Sequence, residues 1–162
     1  KYFTGTAMTQ LNSDNVKYLD EKKCSKIQKA QLDLLTIHKG YILVSDSGTL
    51  GRVTYALEQH EGHVATNNLI RIVIEDENLR GYVFQYLKSD LGQSLMLKNS
   101  YGTNQEHLEP AEIKDVLVPI PKNRSIIDRI GGTVIKSINN LECSIEQNNK
   151  ADKMFNDLYK IK

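Results

Sequence analysis

Apolar positions along this chain keep three rhythms: short clusters, one nearly continuous run and one long stripe. Residues 1–23 are mostly polar, with Tyr2, Phe3, Met8, Val16, Tyr18 and Leu19 scattered among them, which predicts short extended pieces and loop. Over 25–35, Ile27, Ala30 and Leu34 take helical spacing behind Ser25, a residue type suited to an N-cap. The run Tyr41-Ile-Leu-Val44 is β-prone, Asp46–Gly51 carries two glycines, and Arg52–Leu57 returns, so a hairpin with a wide tip is expected. A polar loop, 58–63, separates it from Val64–Ile74, whose second half is rich in branched apolar residues, as in a strand buried on both faces.

Helical spacing then takes over. Leu79, Val83, Tyr86 and Leu87 share one face, and Leu91 and Leu95 continue it in a second helix that Ser89 can cap. Pro110 suits the first position of a short helix over 111–115. Val116–Val118 reads as a strand that Pro119 and Pro121 stop.

Beyond Pro121 there is no proline and no alternation. Ile127, Val134, Ile138, Leu141 and Ile145, then Phe155 and Tyr159, mark one long amphipathic helix of near-heptad period. A helix of that length overhangs so small a domain, so its stripe is expected to face a partner; the other reading folds it back on the chain's own core. Asn148 and Asp152 fall on the seam, where a polar residue fixes register at a cost in stability. Gly131-Gly132 is expected to weaken the early turns by about 1 kcal/mol per glycine. The fold class is therefore mixed: an α/β domain over 1–121, with a strand-rich core and short helices, followed by a coiled-coil-like helix over 122–162.

Length and composition leave this picture standing. A chain of 162 residues, 40% hydrophobic and 25% charged, has the make-up of a globular domain able to bury a core. No apolar run approaches the about 18–20 residues of a membrane span. Cys24 and Cys143 stand far apart and form no CxxC, so reduced thiols and a cytoplasmic location are expected. Lys1 in place of methionine is expected of a processed or excised piece. The net charge of +1, from 21 basic and 20 acidic residues, speaks mildly against a domain that holds nucleic acid unaided.

Catalytic motifs are weak or absent. His60-Glu-Gly-His63 is not the H-E-x-x-H arrangement and has no evident third ligand, so both histidines are expected to be solvated. Ser47-Gly-Thr-Leu-Gly51 lacks the G-K-[ST] ending of a phosphate loop. Glu112-Ile-Lys114 has the E-x-K spacing of a metal-dependent nuclease without the Pro-Asp that precedes it there; charge pairing on a short helix explains it equally. Residues 99–107, Asn-Ser-Tyr-Gly-Thr-Asn-Gln-Glu-His, differ in kind. Asn and Gln can pair with base edges, Thr and Ser can donate or accept, Tyr101 can stack, and Lys98 just before them can meet a phosphate. A turn satisfying its own backbone has the same composition. The hairpin tip, Ser45–Arg52, poses the same pair of readings.

Together these stretches resemble one family. GYILVSDSGTLGRV is similar to the G-D-I-L-x-S-x-x-G-T-I-G-x-V hairpin of target recognition domains in the specificity (S) subunits of type I restriction–modification enzymes, with Tyr41 where those carry aspartate. TNNLIRI resembles the strand that follows. GYVFQYLKSDLGQSLMLKNSYGTNQEHLEPAEIKDVLVPIP resembles the signature G-Y-L-Y-x-x-L-x-S…G-Q…G-S/T-x-Q-x-x-L-x-P-x-x-I-x-x-I-x-V-P-x-P, nearly complete and in order. The helix after VPIP resembles the spacer helix. The match covers 40–162, whereas residues 1–39 carry no matching motif; such subunits usually hold two recognition domains and two helices, and this chain has one of each.

The resemblance implies a non-catalytic protein without a cofactor of its own, reading one half of a split target in double-stranded DNA. Its partners would be modification (methyltransferase) subunits, which use S-adenosylmethionine to methylate adenine, and a restriction subunit. A second recognition half, or a homodimer, would pack on the long helix through Ile127, Val134, Ile138, Leu141, Ile145, Phe155 and Tyr159. Base readout is expected from Ser47, Thr49, Thr103, Asn104 and Gln105, stacking from Tyr101, and phosphate contacts from Arg52 and Lys98. The rival readings are a recognition domain of a fused methyltransferase–nuclease, a catalytic fragment built on Glu112 and Lys114, and a helical adaptor indifferent to DNA.

Overall fold

The computed structural model describes residues 1–4, 7–9, 25–98 and 107–159. Strand β1 (Tyr2–Phe3) and a 3-10 turn, Ala7–Thr9, come first. Helix α1 (Lys26–Leu34) starts at Ser25, whose hydroxyl accepts from the Gln28 N–H while the Gln28 side chain accepts from the Ser25 N–H, a reciprocal capping box. The cap was legible; the direction of the apolar residues was not. No residue of α1 is buried, and Ile27 and Leu34 face outward.

The hairpin forms as its sequence predicts. Strands β2 (Ile42–Ser45) and β3 (Val53–Tyr55) pair antiparallel with Ile42 opposite Tyr55. A 3-10 turn, Glu58–His60, and the two-residue β4 (Val64–Ala65) lead to β5 (Leu69–Ile72), which pairs antiparallel with the other side of β2, Ser45 opposite Leu69. The order is therefore β3-β2-β5, while β1 and β4 form a separate parallel pair. This corrects the expectation for 64–74. Its second half is an edge strand, half-buried for most of its length, and the strand buried on both faces is β2. Alternation sends Ile42 and Val44 into one core and Leu43 into a second, smaller one with Phe3, Ile37, Ala56 and Ala65.

Two helices follow without a gap. Helix α2 (Glu77–Lys88) is capped by Asp76, and Ser89 ends it and caps α3 (Asp90–Leu97), its hydroxyl accepting from the Gly92 N–H. Val83, Phe84 and Leu87 of α2 enter the main core as their spacing requires. In α3 the buried face belongs to Gly92 and Met96, and Leu91 points to solvent, contrary to the expected continuation. Helix α4 (Pro110–Lys114) begins on its proline. The strand expected over 116–118 does not form: the Leu117 and Pro119 carbonyls accept from the hydroxyls of Tyr86 and Tyr82, so side chains take the place of a ladder.

Helix α5 (Arg124–Tyr159) runs unbroken for 36 residues, about 54 Å at the helical rise. Its stripe divides. Ile127, Gly131, Ile135, Ile138 and Ile145 are buried, with Ile135, Ile138 and Ile145 in the main core beside Val83, Phe84 and Leu87 of α2. The first half of the helix has folded back on its own chain, while Met154, Phe155, Leu158 and Tyr159 stand exposed at the far end. The α2–α5 crossing is close because Gly131 has no side chain. A methyl group there would overlap the Asn78 carbonyl oxygen and lie 2.6 Å from the carbonyl carbon, and one on Gly81 would lie 2.6 Å from the Gly131 oxygen. Beside this contact Asn78 donates to Asp128 at 3.1 Å, and Arg124 bridges Asp76 and Asp128 at 2.6 and 2.9 Å.

Candidate nucleic-acid interface

Between β2 and β3 the chain must reverse over seven residues, 46–52, and its side chains brace the reversal from within. Ser45, almost fully buried, donates its hydroxyl to the Thr49 carbonyl and accepts from the Arg52 N–H at 3.1 Å. Gly51 takes φ +70°, a left-handed conformation that a β-carbon disfavours, and sends its N–H back to the Ser45 carbonyl at 2.9 Å. The tip is thereby fixed before any ligand arrives. Its outward positions are Ser47, Thr49 and Arg52: Thr49 and Arg52 are exposed and Ser47 is half-buried.

Helix α3 holds this tip in place. The Gln93 amide donates to the Gly51 carbonyl at 3.0 Å and to the Leu87 carbonyl at 2.7 Å, tying the hairpin to the α2–α3 junction. The Leu97 side chain closes over Gly51, where a β-carbon would meet it at 3.1 Å. Lys98 follows as the exposed C-cap of α3. On the return, Leu108 is buried and its N–H donates to the Asp46 carbonyl at 3.0 Å. The two described ends of the segment 99–106 are thus both anchored at the hairpin tip. Tyr101, Thr103, Asn104 and Gln105 lie outside the described residues.

Beside the tip lies a cleft of about 280 Å³ lined by Ser47, Thr49, Arg52, Thr54, Thr66 and Asn68, with Thr4 of the β1 end. Hydroxyls, the Asn68 amide, one guanidinium and Leu69 surround it, and none of the described residues lining it carries a carboxylate. Neither Arg52 nor Lys98 forms an ion pair with another described residue. Gln93 and the Thr66–Asn68 turn lie within stretches that resemble the family, but the sequence assigns neither a role at the site; the polar triplet Thr-Asn-Asn ahead of an apolar strand is the signal that could have marked the latter.

The remaining chemical candidates resolve otherwise. Glu112 accepts from the Glu109 N–H at 2.7 Å and closes the first turn of α4, a structural use of the carboxylate in the E-x-K triplet. His60 is not solvated, as its loop context had suggested. It is fully buried, edge-on to Phe3 at 5.0 Å between ring centres, and its Nδ1 accepts from the Leu57 N–H at 3.0 Å. Burial, with His63 nearby, holds its pKa down at about 4. Among the described residues no three His, Cys, Asp or Glu side chains gather as a metal site.

A preformed polar tip, two chain segments held beside it at Leu97 and Leu108, and a helical extension agree with the comparison to known families. The model of the type I restriction modification DNA specificity domain matches residues 2–151, from β1 well into α5. This chain belongs to that family. No curated protein matches it. As a DNA specificity domain it is a recognition module of a restriction system, and the mixed sheet-and-helix unit with its long C-terminal helix is the form in which it does so. No described helix is long and apolar enough to cross a membrane.

Proposed function

We propose that this specificity domain reads one half-site of a split target in double-stranded DNA and directs adenine methylation and restriction by separate subunits. The observation that carries this is the hairpin tip. A turn braced by Ser45, Gly51 and Gln93 presents Ser47 and Thr49 outward, with the exposed cations Arg52 and Lys98 at its margin. Preorganised hydroxyls suit base edges, and flanking cations suit phosphates. Thr103, Asn104 and Gln105, with Tyr101 stacking, would complete the readout from the segment that Lys98 and Leu108 bracket. The division of labour runs 1–121 for reading and 122–162 for spacing, although the first half of α5 also serves the core of the reading unit. A second recognition half, or a second copy, would pack on the exposed part of α5 through Leu141, Phe155 and Tyr159. Modification subunits would carry the methyl donor and much of the phosphate contact, which accommodates a net charge of only +1.

Selection of bound duplexes from a randomised pool at low salt, with and without a modification subunit, tests this. Enrichment of a short fixed sequence is the expected result, and replacing Gln105 by alanine should relax one base position by about 1–3 kcal/mol. No enrichment in either condition sinks the reading and favours an adaptor that uses its helix alone.

A further inference from the structure

The turn between β4 and β5 reaches the same cleft as the hairpin tip, and its side chains are as well prepared. Asn68 is exposed at the start of β5, yet its backbone is not free: its carbonyl accepts from the Asp46 N–H at 3.2 Å. Its amide nitrogen donates to the Ser47 hydroxyl at 2.9 Å, which leaves the second amide hydrogen and the carbonyl oxygen without partners among the described residues. Those two groups are the pair an asparagine uses against the N7 and N6 positions of adenine in the major groove.

Behind the turn sits an unusual support. Arg71, half-buried on β5, reaches no carboxylate among the described residues. Its guanidinium donates to the carbonyls of Leu69 at 2.6 Å, Leu35 at 2.9 Å, Ala65 at 3.4 Å and Thr66 at 3.5 Å. Three of these flank the turn, so one rigid planar fork fixes the path of the backbone that carries Asn68. Burying a guanidinium among carbonyls costs desolvation that an apolar side chain at this position would avoid. The geometry points to Asn68 as a base-reading, specificity-determining residue, presented by the 66–68 turn and positioned by Arg71. This rests on the recognition reading above and adds a third reading element to the hairpin tip and the 99–106 segment.

The test is the same duplex selection, run on the full chain with Asn68→Ala, Asn68→Asp, Ser47→Ala and Arg71→Lys beside the unsubstituted protein. Asn68→Ala is expected to cut discrimination at one base pair by about tenfold or more while leaving the other positions intact. Asn68→Asp keeps the size and the acceptor but removes the donor, so that position should move from adenine towards cytosine, whose N4 amino group a carboxylate can accept from. Ser47→Ala keeps the adenine preference in weaker form, and Arg71→Lys, a point charge in place of a fork, blurs that same position alone. Unchanged preference in both Asn68 variants, or equal loss of binding to every sequence, overturns the inference and leaves Asn68 as a brace for Ser47. Absence of any enriched sequence with the unsubstituted protein is a separate result: it removes the recognition reading and this one with it.

Discussion

Two adjacent glycines in α5 should respond to the same substitution with opposite signs. In Gly131→Ala the added methyl overlaps the Asn78 carbonyl oxygen of α2, and the obstacle is backbone, which cannot swing aside as a side chain would. Restoring ordinary contact requires the helices to part by about 1 Å or more. That loosens Ile135 and Ile138 from Val83 and Phe84, for which overpacking costs of about 1–3 kcal/mol are typical. The upper end applies here, and the helix propensity regained on removing a glycine offsets about 1 kcal/mol of it. The expected net loss is about 2 kcal/mol. Gly132→Ala meets only the Asn78 side-chain oxygen at 3.4 Å, an ordinary contact, so it should gain about 1 kcal/mol from propensity alone. Urea unfolding of the two variants, followed by circular dichroism, should separate them by about 3 kcal/mol. Equal stabilisation of both would refute the close crossing and return α5 to a helix that merely abuts the domain.

His60 should make the domain acid-sensitive. Its folded-state pKa of about 4 lies below the ordinary 6.5, so its contribution is complete above pH 6.5 and is lost as pH falls through that value towards 4. The full swing is about 3 kcal/mol, and His60→Gln should flatten unfolding free energy across this window even if the variant is less stable at neutral pH; an unaltered slope would assign the acid sensitivity elsewhere. At the far end of α5, the Phe155 and Tyr159 rings meet at a tilt, 4.7 Å between centres, but are more than half exposed. Changing both to serine should leave unfolding within about 0.5 kcal/mol while lowering self-association, or capture of a second recognition half, in sedimentation velocity. A large stability loss with unchanged association would place them in the core instead.

Local rules carried much of the fold into view. Ser25, Ser89 and Pro110 announce helix starts because capping is decided within one turn, and the hairpin is written in its glycines. What stayed hidden was decided by tertiary neighbours. Nothing in the 64–74 pattern distinguishes an edge strand from a central one, because the distinction depends on which strand lies beyond it. Gly131 looks like a defect in a helix until Asn78 is opposite. His60 reads as a loop residue because its shelter, Phe3, lies far away in sequence. The outward positions of the hairpin tip, Ser47, Thr49 and Arg52, were legible because family resemblance and turn chemistry coincide there. Gln93, Asn68 and Arg71 sit in stretches that resemble the family but received no role, because Gln93 and Arg71 act on backbone carbonyls and Asn68 on one hydroxyl, contacts that leave no periodicity and no charge pairing to detect.

The rooting of α5 has a mechanical corollary. Gly131 seats the helix on α2 with no slack, and the helix continues unbroken from its last buried residue, Ile145, to Tyr159, about 21 Å further along the axis. The tail therefore inherits its aim from the domain that α2 belongs to, as a pointer does from its hub. Lengthening it by one residue between these positions would both extend the reach by about 1.5 Å and rotate the Phe155–Tyr159 face by about 100°. Only insertions close to whole turns keep that face on its original bearing, so anything docked on it would be displaced in steps and not continuously.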